Sequence, residues 1–206
     1  MSQTCQIFLQ PLAGAMAAVH PKELILAKGF GSAKRQREFL VARSAARLGI
    51  AEMGFLPLPV GKGPKGEPLW PPGVVASLAH DEGWAGCLIA KRGSGLVALG
   101  LDFEPLNREV SKGVYQTIYS PAEAQQLEAL GDWALRAGFC AKEAIFKCLY
   151  PLFGAYLGFL DAQLVFLDHQ TFVAKLSQPS GAPEIPAQVT GQLWRQEDRI
   201  FAALGL

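Results

Sequence analysis

Residues 74–105, VVASLAHDEGWAGCLIAKRGSGLVALGLDFEP, carry the reading that decides how this chain folds. Residues 74–80 read as a short strand that ends in His80. Two further apolar runs, 84–91 and 96–104, flank Arg92-Gly93-Ser94-Gly95, and that glycine-rich tetrapeptide predicts a hairpin between them. The sign of the charge changes across the same stretch. Residues 1–98 hold 11 Lys and Arg against 6 Asp and Glu, a net of +5, whereas residues 99–206 hold 8 against 12, a net of −4. The overall balance of +1 therefore conceals a basic half and an acidic half, which is the arrangement that a phosphate-rich ligand and its metal ion require.

Upstream, residues 34–48 (KRQREFLVARSAARL) lack Gly and Pro and predict a helix, with Gly49 placed to end it. Lys34, Arg35, Arg37, Arg43 and Arg47 make it cationic. Arg43 and Arg47 lie one turn apart, and Arg35 falls about 80° from Arg43 on the helical wheel. Residues 57–73 (PLPVGKGPKGEPLWPPG) are too rich in Gly and Pro for a helix or an inner strand. The uncharged segment 1–19 lacks the basic start of a signal peptide and reads as a first strand and loop.

Downstream, Ser120-Pro121-Ala122-Glu123 predicts a capping box with proline at the first helical position, opening a helix to about Leu130. Residues 133–150 predict a second helix stopped by Pro151. Residues 162–167, 171–176, 188–195 and 199–204 read as strands. Helices and hairpins are segregated in each half, so the expected class is α+β, with halves 1–98 and 99–206. With 50% hydrophobic and 18% charged residues the chain can bury a sizeable core, and no apolar run is long enough to span a bilayer. Cys5, Cys87, Cys140 and Cys148 show no CxxC spacing, which points to reduced, mostly buried thiols in a cytoplasmic protein. Walker A, GxGxxG and GxSxG patterns are missing from the sequence.

Two acidic groups carry chemistry. Asp102 and Glu104 are two apart on a strand, so both carboxylates project from one face while Phe103 packs on the other. The pair reads either as solvated strand-end acids or as paired hard oxygens for magnesium, which takes one or two carboxylates and completes its shell with water and phosphate. Glu143 and Lys147, within AKEAIFK, are one helical turn apart; they read either as a surface ion pair or as a further metal ligand or base beside a phosphate-binding lysine. A noncatalytic anion- or nucleic-acid-binding module and a metal-dependent phosphohydrolase are open alternatives at this level.

Five ordered blocks, KRQREFLVARSAAR (34–47), KGPKGEPLWPP (62–72), SLAH (77–80), LGLDFEP (99–105) and FCAKEAIFK (139–147), resemble the 4'-phosphopantetheinyl transferases of the surfactin and enterobactin type. The resemblance covers roughly residues 28–151. It implies a pseudo-twofold monomer of two halves, each a small antiparallel sheet packed with helices, with coenzyme A bound between them as substrate and Mg²⁺ as cofactor. By matched position, Arg35 and Arg43 would bind the phosphates of the 3'-phospho-ADP moiety. Lys62, Gly63, Pro64 and Lys65 would line the nucleotide, and Ala79 and His80 would lie at its 3'-phosphate. Asp102, Glu104 and Glu143, with the Phe103 carbonyl, would hold the metal. Lys142 and Lys147 would bind phosphates, and the base would be Glu143, directly or through a water, with a metal-bound hydroxide as the competing route. The implied partners are apo acyl- or peptidyl-carrier proteins, not nucleic acid or a membrane, with a loop at 106–119 and the helix after Ser120 as docking surface. The chain departs from many relatives in carrying Ala79 in place of a hydroxyl residue, Phe139 in place of Trp, and Asp81, an extra negative charge after the histidine.

Overall fold

A computed structural model describes residues 5–14, 19–81, 83–107, 112–178 and 184–206. The chain forms two compact units, Met1–Leu99 with Leu206, and Gly100–Gly205.

In the first unit, β1 (Cys5–Pro11), β4 (Val74–His80) and β5 (Trp84–Lys91) make an antiparallel sheet in the order β1-β5-β4. Helix α1 (Pro21–Ala27) and the long α2 (Ala33–Glu52) accompany it, and a two-residue ladder joins β2 (Gly61–Lys62) to β3 (Pro68–Leu69). Ser32 caps α2 by accepting from the Arg35 amide. Ala45, Ala46 and Ile50 of α2 pack on Val74, Ala76, Cys87 and Ile89 of the sheet. Gly49 does not end α2 as its sequence position suggested. It lies inside the helix, where a Cβ would come within 2.8 Å of the Phe8 ring, so it is kept small by packing. The predicted hairpin across Arg92–Gly95 is also absent among the described residues. β5 pairs instead with β4 and with β1. Asp81, just after β4, is buried and accepts from the Gly83 and Trp84 amides, so its charge serves the start of β5. Helix α1 was not foreseen, because its pattern is only seven residues long.

In the second unit β6 (Leu99–Pro105), β10 (Arg199–Gly205), β9 (Gln188–Gln196), β8 (Thr171–Leu176) and β7 (Ala162–Phe166) form one sheet in the order β6-β10-β9-β8-β7. Helices α3 (Lys112–Ile118), α4 (Pro121–Ala129) and α5 (Asp132–Phe153) precede its last four strands in the chain. Helix α3 falls within the stretch expected to be a loop. Helix α5 passes through Pro151 and ends at Gly154, a left-handed residue whose N–H bonds the Tyr150 carbonyl. Proline in the last turn forfeits one helix bond without blocking the helix. Ser120 accepts from the Glu123 amide as expected, but the Glu123 carboxylate turns inward, so only half of the capping box forms.

Gly100 controls the meeting of α5 with β6: a Cβ there would stand 1.9 Å from the Ala144 carbonyl oxygen. Helix and strand backbones touch only because this residue has no side chain. All four cysteines are free thiols, three of them buried. No helix among the described residues is long and apolar enough to cross a membrane. Gly100→Ala is expected to lower stability by at least the ~1–3 kcal/mol typical of overpacking, read as a drop in the urea midpoint.

Candidate functional site

In the first unit the aromatic residues, not the charges, organise the cations. Phe30 and Phe39 form a tilted pair with ring centroids 5.2 Å apart. The Lys62 ammonium lies over the Phe30 ring at 4.3 Å and the Arg43 guanidinium over the Phe39 ring at 3.8 Å. Two cations far apart in sequence are thus gathered on one aromatic platform. Arg43 is buried, its Nε has no hydrogen-bond partner, and desolvation pushes its pKa down to about 10, leaving it still protonated at neutral pH. A desolvated guanidinium with an unsatisfied donor is a costly arrangement that a neighbouring anion would offset.

The remaining predicted residues of this unit are placed less directly. Arg35 is exposed at the start of α2, and Arg37 donates to the Leu12 and Gly14 carbonyls. Gly63, Pro64 and Lys65 belong to the turn between β2 and β3. Its far end is held by Glu67, which accepts from the Lys65 amide and lies where a Gly63 Cβ would be. His80 is exposed at the end of β4, and Ala79 is buried in the sheet. Phe30 and Phe39 are the residues sequence reasoning missed. Their signal is Phe39 on the helix one turn before Arg43.

In the second unit β6 and α5 bring the acidic cluster together. Asp102 is buried, and Lys147 donates to its Oδ1 at 2.7 Å and to the Leu101 carbonyl at 3.2 Å. Glu143 lies one turn before Lys147. Burial, and next the negative charge of Asp102, push the Glu143 carboxyl above its ordinary range, while Lys147 pulls it back in part. Glu104, two residues along the strand from Asp102, is half-buried; both carboxylates, after burial itself, raise the pKa of the enclosed Cys140 thiol. The Phe103 ring points into the core against Phe201, as strand alternation requires.

Lys142 departs from expectation. Its ammonium donates to Glu123 Oε2, the Ile118 carbonyl and the Phe159 carbonyl, all within 2.9 Å, so its three N–H donors are used internally. In this structure the three donors of Lys142 are satisfied inside the protein, whereas Lys147 lies beside Asp102. Arg108 of the expected docking loop lies outside the described residues.

Among the described residues no three His, Cys, Asp or Glu side chains converge as a ready-made metal cage. The donors nevertheless fit magnesium in kind. Asp102 and Glu143 are hard carboxylates close enough to repel one another, and the cation now offsetting Asp102 is Lys147. A divalent ion with two carboxylates and open positions for water and phosphate matches that chemistry.

One unit thus carries a cationic aromatic platform and the other a carboxylate–lysine cluster. Residues 25–90 match the family model described as 4'-phosphopantetheinyl transferase N-terminal domain, and residues 98–201 match that of the 4'-phosphopantetheinyl transferase superfamily. The chain belongs to the 4'-phosphopantetheinyl transferase superfamily. A 4'-phosphopantetheinyl transferase of Nocardia iowensis is 40% identical over 151 residues, 71% of this chain and 66% of that protein. One of Mycobacterium tuberculosis is 40% identical over 137 residues, 65% of this chain and 60% of that protein. Enterobactin synthase component D of Escherichia coli K12 is 29% identical over 144 residues, 68% and 66%. The matched part of the chain therefore spans 60 to 66% of the length of these relatives.

Because Glu143 is raised above its unfolded value, the stability it contributes is present below that unfolded value and is lost as pH rises through the folded one. Glu143→Gln, which cannot ionise, should raise the unfolding temperature of metal-free protein at pH 8 relative to wild type. The gain should vanish as the pH falls below the normal glutamate range; a pH-independent difference would contradict the burial of this charge.

Proposed function

We propose that the chain transfers the 4'-phosphopantetheine arm of coenzyme A to a serine hydroxyl of an apo acyl- or peptidyl-carrier protein and releases 3',5'-ADP. The observation that carries this reading is the cluster of Asp102, Glu143 and Lys147, which gathers two carboxylates and an ammonium where β6 meets α5. Family membership and the names of the relatives support the same chemistry.

Arg43 and Lys62, with Arg35 and the Lys62–Lys65 turn, bind the nucleotide phosphates, and His80 contacts the 3'-phosphate. Arg43 is the principal anchor, since a phosphate beside its guanidinium offsets the cost of a desolvated charge. Asp102 and Glu143, with Glu104 and the Phe103 carbonyl alongside, would hold Mg²⁺, which would supply charge stabilisation on the pyrophosphate. Lys147 bridges from Asp102 to a pyrophosphate oxygen. The serine oxygen attacks the β-phosphorus, a new P–O bond forms, and the bond to the bridging oxygen breaks, so that 3',5'-ADP departs. Glu143, which shares one side of α5 with Lys147, accepts the serine proton directly or through a water. Mostly buried, reduced thiols fit a protein of the cytoplasm, and family membership is what supports carrier proteins, and not nucleic acid or membranes, as partners of a monomer.

Incubation with coenzyme A, Mg²⁺ and several apo carrier proteins should add the phosphopantetheine mass to the carrier. No increment on any carrier would refute the reading, and 3',5'-ADP released equally without carrier would indicate a hydrolase. Asp102→Ala should abolish transfer with the fold intact by circular dichroism. Arg43→Met should weaken coenzyme A binding about ten- to hundredfold, the range for losing a hydrogen bond to a charged group, with little loss of thermal stability.

A further inference from the structure

Lys142 is adjacent to Glu143, yet the two side chains do different work. At about 100° per residue, Glu143 and Lys147 lie about 40° apart on one side of α5, whereas Lys142 lies about 140° from Lys147 on another. On the first side are Asp102 and the reaction chemistry. On the second, the Lys142 ammonium is held at 2.8 Å by Glu123 Oε2, at 2.9 Å by the Ile118 carbonyl and at 2.8 Å by the Phe159 carbonyl, above the Tyr119 ring. The other carboxylate oxygen of Glu123 accepts from the Leu164 amide at 2.8 Å. One buried ion pair therefore ties α5 to the end of α3, to α4, to the 3-10 turn Phe159–Asp161 and to β7.

We propose that Lys142 and Glu123 are positioning residues: their buried clamp sets the rotation of α5 about its axis and so holds Glu143 and Lys147 against Asp102. The inference rests on the transferase reading and adds to it a role for two residues that touch no substrate. Apolar packing alone tolerates small rotations of a helix, whereas three directional bonds to one ammonium do not. At a helix radius of about 5–6 Å a 10° rotation moves a side chain by about 1 Å, and a misplacement of that size costs on the order of a hundredfold in rate. The first unit uses the same device. Glu23, third residue of α1 after Pro21, accepts from Arg47 of α2 and, through its other oxygen, from the Val60 amide at 2.8 Å. Arg47 lies one turn beyond Arg43 on α2, so there too a clamped cation sits beside a functional one.

The test compares wild type with Glu123→Gln, Lys142→Met and the double variant Lys142→Met/Glu123→Leu, in which an apolar pair replaces the ion pair and leaves no buried charge unpaired. Transfer kinetics to an apo carrier, coenzyme A affinity by calorimetry without carrier, and thermal unfolding are read together. The expected result is a kcat lowered ten- to hundredfold in Glu123→Gln and in the double variant. Coenzyme A affinity should stay within threefold, and the double variant should stay folded and unfold at a higher temperature than Lys142→Met, which leaves Glu123 buried without its cation. A stable double variant with wild-type kcat would overturn the proposal. So would a tenfold or greater loss of coenzyme A affinity in Lys142→Met that Glu123→Gln does not share, because it would make Lys142 a phosphate ligand. If wild type transfers nothing, the transferase reading fails by itself. Amide exchange along α5 then decides the clamp: faster exchange at residues 143–148 in the double variant supports it, and unchanged exchange overturns it.

Discussion

A carboxylate buried at the third position of a short helix is the constraint around which each unit is arranged. Glu23 and Glu123 both follow an N-terminal proline, both are almost wholly enclosed, and each divides its two oxygens between a backbone amide and a cation from the next helix. Removing one partner of such a pair costs about 3–5 kcal/mol, since the other charge is left without water or counter-ion. Both partners must therefore be in place before the unit closes. The pair adds little net stability over an apolar equivalent, but it is directional, and it fixes how the following helix is turned.

That rotation explains why the chemistry lies on one side of each long helix. In α5 the clamp is on one side and Glu143 with Lys147 on another, while Gly100 lets the helix backbone settle on β6 so that Lys147 reaches Asp102. In α2 Arg47 is clamped and Arg43 is left over Phe39 with an unused donor. Burial raises the pKa of Glu143 in one unit and lowers that of Arg43 in the other, so each carries a charge that a ligand of opposite sign would stabilise. A phosphate at Arg43 and a divalent cation at Asp102 and Glu143 are the two ligands that would do so.

Much of the fold was legible because local signals agreed with the tertiary outcome. Strands β4, β5 and β8 begin and end where apolar runs meet turn residues, and α4 opens at the Ser-Pro-x-Glu signature. The failures share a cause. Gly49 and Pro151 are helix breakers by propensity, yet the first is held by the Phe8 ring and the second sits in a last turn, where a lost bond is cheap. The Arg92–Gly95 segment is a turn by composition, but pairing partners are chosen by which sheet edge is open, and β5 had β1 and β4 available.

The sequence by itself determined which functional groups the chain owns: a cationic helix, a DxE strand and a KExxxK helix in an order that marks the family. It could not determine which lysine of that helix faces the reaction, because Lys142 and Lys147 are chemically the same and differ only in what surrounds them. Tertiary structure decided it. Three carbonyl and carboxylate oxygens enclose Lys142, Asp102 receives Lys147, and a charge buried among acceptors is no longer available to a substrate.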